Sequence, residues 1–317
     1  MAAKFNLPGT TVIGDNALQE SGDILKTFGK KAFIVTGKVV TKVGIAKVLT
    51  DYLTSLGIEY EIFNDITGEP TDAMIEEGVK AFKKANCYFC IGIGGGSPLD
   101  SAKAIAAMTV LEGSISDYMG KELEGDFPKL VLIPTTAGTG SEATKFTVIT
   151  DTKKDIKMLL KGDVLLPNLA IIDWNFTKSS PKSVTAATGM DALTHAVESY
   201  TSRKANPLTD MYAISAIKRI FKYLPIAYKD GVNEEARKEI FHVAHGISNA
   251  MLIKECLSYV LDGAYKKFAD LGRLVNPKYE GESDKEAAED AMASGSPSNT
   301  IKAVTKEDLI KIYNKLW

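Results

Sequence analysis

The sequence predicts an α/β N-terminal domain built on a parallel sheet, followed by an all-α C-terminal domain. Three observations predict this. Short apolar runs alternate with amphipathic stretches of helical period as far as residue 173. Beyond that point strand-like runs nearly vanish. Glycine-rich turns directly follow two of the apolar runs. Strands alternating with helices of this length form parallel sheets with helices on both faces. The 317 residues exceed the ~100–200 of a single domain, and the boundary is placed at Lys178-Ser-Ser-Pro181, giving domains 1–178 and 179–317.

The elements follow in order. Lys31 to Thr36 is a short apolar strand, and Ile45 to Leu56 carries a helical pattern. Ile58 to Phe63 alternates apolar and polar residues, as a half-buried strand does. Thr71 then caps an amphipathic helix that runs through Ala81 to Lys84. Tyr88 to Ile93 is the next strand, Pro98 to Met108 the next helix, and Leu130 to Ile133 and Leu169 to Asp173 are further strands. Helices are expected over Pro181 to Tyr200, Leu208 to Leu224, Glu234 to Ile240, Ile247 to Asp262 and Lys306 to Leu316.

Composition excludes several classes of function. With 45% hydrophobic and 25% charged residues and a net charge of −2, the chain is ordinary soluble-globular material with no electrostatic reason to bind nucleic acid or a membrane surface. No apolar run approaches the ~20 residues that span a bilayer. The N-terminus lacks an apolar signal region, which points to the cytoplasm. Cys87 and Cys90 form a C-x-x-C, but they lie in an apolar strand-like run with no second pair, and they read as buried, inert thiols.

Two turns point to a ligand. Ile93-Gly-Gly-Gly-Ser-Pro-Leu-Asp-Ser-Ala-Lys103 leads from a buried strand into a helix. Glycines let backbone approach a phosphate closely, and a helix N-terminus presents free N–H groups to its charge. The turn is neither of the named phosphate-binding loops. Pro134-Thr-Thr-Ala-Gly-Thr-Gly-Ser-Glu142 places two glycines and four hydroxyls after another buried strand. Two such turns at the carboxyl ends of strands in one sheet frame the crevice where open α/β sheets bind ligands.

Asp191 and His195 stand four apart in Gly189-Met-Asp-Ala-Leu-Thr-His-Ala-Val-Glu-Ser-Tyr200. On a helix they share a face, so a carboxylate and an imidazole can close on one cation. A helix-surface pair is the alternative reading. The other two histidines, His242 and His245, fall together.

In this order, GGGSPLDSAK, PTTAGTGSE and GMDALTHAVESY resemble the iron-containing (group III) alcohol dehydrogenase family, over nearly the whole chain. The resemblance implies an N-terminal dinucleotide-binding domain of Rossmann-like type and a helical metal domain, with the active site in the cleft between them. It implies Asp191, His195 and His245 as metal ligands. His245 stands in Ala244-His-Gly-Ile-Ser-Asn-Ala250, with Ala244 where the family usually has proline. It places Gly94, Gly95, Gly96 and Ser97 at the cofactor diphosphate, Asp100 beside the nicotinamide, Thr135, Thr136 and Thr139 along the groove, and Lys157 near the nicotinamide ribose. The family often forms dimers or larger assemblies.

The chain departs from the family elsewhere too. A His-Ala-x-x-His segment that supplies another ligand is absent where Ile240 runs into Phe241, and a second stretch is missing near 288/289. His242 matches no ligand position; beside the site it would either help to move protons or play a passive role. After the first strand many members carry Thr-Asp, where this chain has Thr36-Gly37-Lys38. An acid there would bind the adenosine ribose and repel a 2′-phosphate. Gly37 removes that repulsion and Lys38 adds attraction, so NADP is expected over NAD.

The implied activity is reversible hydride transfer between a primary alcohol and NAD(P), assisted by Fe²⁺, with Zn²⁺ an acceptable alternative for Asp and His ligands. Two alternatives stand beside it. One is an enzyme of the related glycerol-dehydrogenase or dehydroquinate-synthase branches. The other is a non-catalytic nucleotide-binding protein whose metal site has decayed.

Overall fold

The computed structural model describes residues 6–201 and 205–241. The chain divides into two compact units between Pro181 and Lys182.

The first unit holds a sheet of six parallel strands: β1 (Thr10–Ile13), β2 (Lys31–Val35), β3 (Glu59–Phe63), β4 (Phe89–Gly94), β5 (Lys129–Pro134) and β8 (Leu169–Ile172), in spatial order β1-β8-β5-β4-β2-β3. Its helices are α1 (Ala17–Glu20), α2 (Gly22–Lys26), α3 (Lys38–Lys42), α4 (Ile45–Ser55), α5 (Asp72–Ala85) and α6 (Gly96–Met108). The period-2 alternation of the strands sorts the core onto two faces. Phe33, Val35, Cys90 and Leu132 pack with Phe82 of α5 and Leu99 and Ile105 of α6. Their neighbours Ala32, Ile34, Ile91 and Val131 pack with Leu18, Leu25, Leu49 and Leu53 on the other face. Each fully buried Leu, Ile or Phe contributes about 1.5–3 kcal/mol of transfer free energy, so both faces are firmly closed.

An antiparallel hairpin, β6 (Phe146–Asp151) and β7 (Ile156–Lys161), lies outside this sheet. Its inward residues Ile149, Met158 and Leu160 join the core on the α5–α6 face. The Thr150 N–H donates to the Pro70 carbonyl at 2.8 Å, and Thr152 donates its N–H and hydroxyl to the Asp72 carboxylate at 3.3 and 2.8 Å, fixing the hairpin to the start of α5. Thr71 caps α5 as expected, its hydroxyl accepting from the Met74 N–H at 3.2 Å.

Cys87 stands in the turn before β4 rather than within the strand, and it is half-buried; Cys90 is fully buried. Burial pushes the Cys87 thiol up to about 11 and the Cys90 thiol higher still. Both are poor nucleophiles at neutral pH.

The second unit is helical over its described residues: α7 (Lys182–Thr201), α8 (Pro207–Lys229) and α9 (Glu234–Phe241). Asn206 caps α8, accepting from the N–H groups of Leu208 and Thr209 at 3.1 and 3.3 Å, with Pro207 in the first turn. Gly189 allows α7 and α8 to close, because a Cβ there would lie 2.4 Å from Leu224 Cδ1. The expected helices over 247–262 and 306–316 lie outside the described residues. Among the described residues no helix is long and apolar enough to cross a membrane.

Candidate functional site

Strand order locates the crevice. The chain leaves β2 toward β3 at one edge, whereas it leaves β4 toward β5 in the opposite direction. The carboxyl ends of β2 and β4 are therefore the switch point, the place where open sheets bind ligands. The Thr36 hydroxyl ties the two ends together, donating to the Ile93 carbonyl at 2.8 Å.

The first turn begins here. Gly94 closes β4, and its carbonyl accepts from the Thr135 N–H at 2.8 Å. Gly95 is the N-cap of α6, with no side chain capping the helix, while Gly96 and Ser97 form its first turn. The free N–H groups of that turn are available to an anion. The second turn lies directly against the first. A Cβ on Gly96 would come within 2.9 Å of Thr139 Cγ2, and one on Gly95 within 3.6 Å of Thr136. Gly96 is thus needed for the turns to lie this close, whereas a side chain at Gly95 would make an ordinary contact. Gly94, Gly95, Gly96, Ser97, Thr135, Thr136 and Thr139 are brought together as one backbone-lined cradle.

Next to the first turn lies a polar core of Lys103, Asp100 and Glu142, of which Lys103 carries no motif role. Lys103, on α6, is fully buried. Its ammonium donates to the Thr144 and Phe146 carbonyls at 2.7 and 2.8 Å and to the Thr144 hydroxyl at 3.1 Å. All three donors are used. Burial lowers its pKa to about 8, against the pull of the Asp100 and Glu142 carboxylates. A lysine inside the apolar run Ala102 to Met108 was the available signal.

Asp100 sits beside it. Oδ2 accepts from the Val148 N–H at 2.9 Å, and the Thr147 hydroxyl donates to the Asp100 carbonyl at 2.8 Å, so this residue also braces the hairpin. Oδ1 is buried and closes no hydrogen bond of regular geometry. Burial raises the Asp100 pKa, opposed by the Lys103 charge, the Val148 N–H and the Ser141 hydroxyl.

Lys157 extends from β7 to Glu69, 2.6 Å away, with both side chains more than half exposed. Gly37 is the N-cap of α3 and Lys38 its first residue. Lys38 Nζ lies 3.9 Å from Asp65 Oδ1.

In the second unit, α7 carries Asp191 and His195 on one face, with Asp191 Oδ1 3.3 Å from His195 Nε2. His195 is almost wholly buried and Asp191 partly so. Burial raises the Asp191 pKa, and the His195 charge opposes this. A carboxylate oxygen and an imidazole nitrogen this close form a donor pair that suits Fe²⁺ or Zn²⁺. Among the described residues no cluster of three or more such donors occurs. His242 and His245 lie outside the described residues, as do the 288/289 junction and Cys256.

Comparison with known proteins agrees with this architecture. The family model for iron-containing alcohol dehydrogenase matches residues 8–174, and the C-terminal model of the same family matches 185–241. The NAD-dependent methanol dehydrogenase of Bacillus methanolicus is 34% identical over 98% of this chain and 92% of its own length. The 1,3-propanediol dehydrogenase of Klebsiella pneumoniae is 34% identical over 92% of this chain and 84% of its own. Among solved structures, a 1,3-propanediol oxidoreductase superposes with a TM-score of 0.88 at 33% identity, covering 93% of this chain and 85% of that one. An alcohol dehydrogenase from Oenococcus oeni superposes with a TM-score of 0.91 at 27% identity, covering 100% of each chain. Together with the paired turns and the Asp191–His195 pair, these matches make the chain a member of the iron-containing alcohol dehydrogenase family, a group of metal-linked, nicotinamide-dependent oxidoreductases acting on small alcohols and aldehydes.

Proposed function

We propose that this chain reversibly oxidises a primary alcohol to its aldehyde, with NADP preferred over NAD and Fe²⁺, or alternatively Zn²⁺, held by Asp191 and His195. The observation that carries the reading is the contact between the two turns at the carboxyl ends of β4 and β5, where backbone N–H groups and hydroxyls replace bulky side chains. Gly94, Gly95, Gly96 and Ser97 hold the diphosphate. Thr135, Thr136 and Thr139 line the groove. Asp100 stands beside the nicotinamide, its carboxylate held by the Val148 N–H and the Ser141 hydroxyl. Lys157 reaches the nicotinamide ribose once it releases Glu69.

By family resemblance His245 completes the ligand set, whereas His242, which matches no family ligand position, moves protons in this reading or stays passive. When bound, the metal supplies Lewis acidity toward the alcohol oxygen and the nicotinamide accepts the hydride. The share of this chain's own residues is orientation: a carboxylate and a buried imidazole set on one helix face, and a cradle that fixes the cofactor. NADP preference is supported by Gly37, which bears no acid, and by the exposed Lys38 that follows it. Cytoplasmic residence and assembly into dimers or larger oligomers belong to the same reading.

The test is absorbance at 340 nm with butanol, 1,3-propanediol or butyraldehyde, using NAD(H) and NADP(H) after anaerobic loading with Fe²⁺. Metal-dependent turnover, faster with NADP(H), is expected. Its absence from metal-loaded protein that still binds nucleotide would favour the decayed-site alternative.

A further inference from the structure

We propose that Asp65, one strand away from the usual position, sets how strongly this chain discriminates between NADP and NAD. The inference rests on the dinucleotide reading above and concerns the adenosine end of that cofactor.

In open α/β sheets the residue that judges the adenosine ribose stands at the carboxyl end of the strand beside the glycine-rich turn. Here that strand is β2, adjacent to β4, and the position is Gly37. The segment after β3 presses on it. A Cβ at residue 37 would lie 3.1 Å from the Ile66 carbonyl, and the Thr36 N–H donates to the Phe63 carbonyl at 2.9 Å. Asp65 belongs to that segment, and its Oδ1 lies 3.9 Å from Lys38 Nζ, with both side chains about two-thirds exposed. Lys80, which shares a groove wall with Asp65, is held by Glu76 and Glu77 at 3.0 and 2.9 Å.

The carboxylate missing after β2 is therefore supplied from the loop after β3, beside the exposed Lys38 that follows Gly37. It acts in two ways. An arriving 2′-phosphate meets a like charge, and it must share Lys38 with a partner already in place. A ribose diol meets a hydrogen-bond acceptor instead. Asp65 thus limits the NADP preference that Gly37 and Lys38 create.

The experiment uses the full, metal-loaded chain. It measures kcat/KM for NADP and NAD with one alcohol, and NADPH and NADH binding by fluorescence, in wild type, Asp65→Asn and Lys38→Met. Removing one exposed like charge is expected to raise the NADP:NAD ratio of kcat/KM about tenfold in Asp65→Asn, chiefly through KM for NADP, and to lower it comparably in Lys38→Met. The gain in Asp65→Asn shrinks at 0.5 M salt, as an exposed charge effect must. Normal nucleotide binding with a ratio unmoved within twofold in Asp65→Asn overturns this inference alone. An equal change for both cofactors does the same. Failure of wild type to bind either nucleotide overturns the dinucleotide reading, and this inference with it.

Discussion

At the turns after β4 and β5 the groups that would meet a ligand are backbone N–H groups and small hydroxyls, whereas on α7 they are one carboxylate and one imidazole. The first centre depends on side chains being absent: a single Cβ at Gly96 would drive into Thr139. The second depends on two side chains being present at helical spacing, 3.3 Å apart. The two differ in support as well. The cradle is propped from below by a buried ammonium with three acceptors, while Asp191 and His195 are aligned by one helix and by the close packing that Gly189 allows. Sensitivity to mutation should therefore be inverted between them: enlargement damages one, truncation the other.

The largest expected effect tests the α7 pair. His195→Ala is predicted to lower turnover by about a thousandfold or more, the loss of a Lewis-acid centre, while metal content drops and nucleotide binding stays within about threefold. Full activity in metal-free His195→Ala would show that the pair is merely a helix-surface contact.

Gly96→Val probes the opposite dependence. The added side chain forces Thr139 away, and nucleotide affinity should fall roughly 10- to 100-fold, a cost of about 1.4–2.7 kcal/mol. Metal content should not change. Unaltered affinity in this variant would remove the cradle from the account.

Lys103→Met tests the support of the cradle. It leaves the Asp100 and Glu142 carboxylates without the buried ammonium and the Thr144 and Phe146 carbonyls without their donor, which should destabilise the fold by about 3–5 kcal/mol. The pH dependence has a definite sign. The folded-state pKa of about 8 lies below the ordinary lysine value of 10.5. Between those values the unfolded chain binds more protons, so this group's contribution to stability rises with pH. From pH 8 to 9.5 the wild type should gain about 1.5 kcal/mol relative to Lys103→Met. Chemical denaturation at both pH values measures it, and a constant difference would mean that the pKa of Lys103 is not depressed.

The smallest effect is a control. Thr71→Ala removes the cap of α5 and should cost about 1 kcal/mol, with kcat/KM untouched.

Much of the first centre could be read from residues alone. Strands β2, β4, β5 and β8 are apolar runs because both of their faces are covered, and the two turns announce themselves by glycine and hydroxyl content next to those runs. Elements whose burial is one-sided or slight were harder to see. β1 at the sheet edge is mostly exposed and carries no apolar run. The β6–β7 hairpin alternates instead, with Thr147, Ile149, Met158 and Leu160 turned inward. That period-2 signal was available in the sequence. Lys103 was hidden in plain view within GGGSPLDSAK, since spacing does not reveal that three acceptors 41 to 43 residues away will meet its ammonium. Asp65 could not be anticipated either, because its importance comes from β3 lying beside β2. For α7 the i,i+4 spacing was enough to place Asp191 and His195 on one face. The ligand role given to His245 rests on the family resemblance, and the role given to His242 only on its place in the sequence beside His245.

Separate cofactor and metal centres are best tested by measuring NADPH binding and Fe²⁺-dependent alcohol oxidation side by side in Gly96→Val and His195→Ala. A double dissociation is expected. Gly96→Val binds metal and loses nucleotide affinity, whereas His195→Ala binds nucleotide and loses metal and turnover. If each variant lost both functions together, or if neither lost its own, the assignment of separate cofactor and metal centres to these residues would be contradicted.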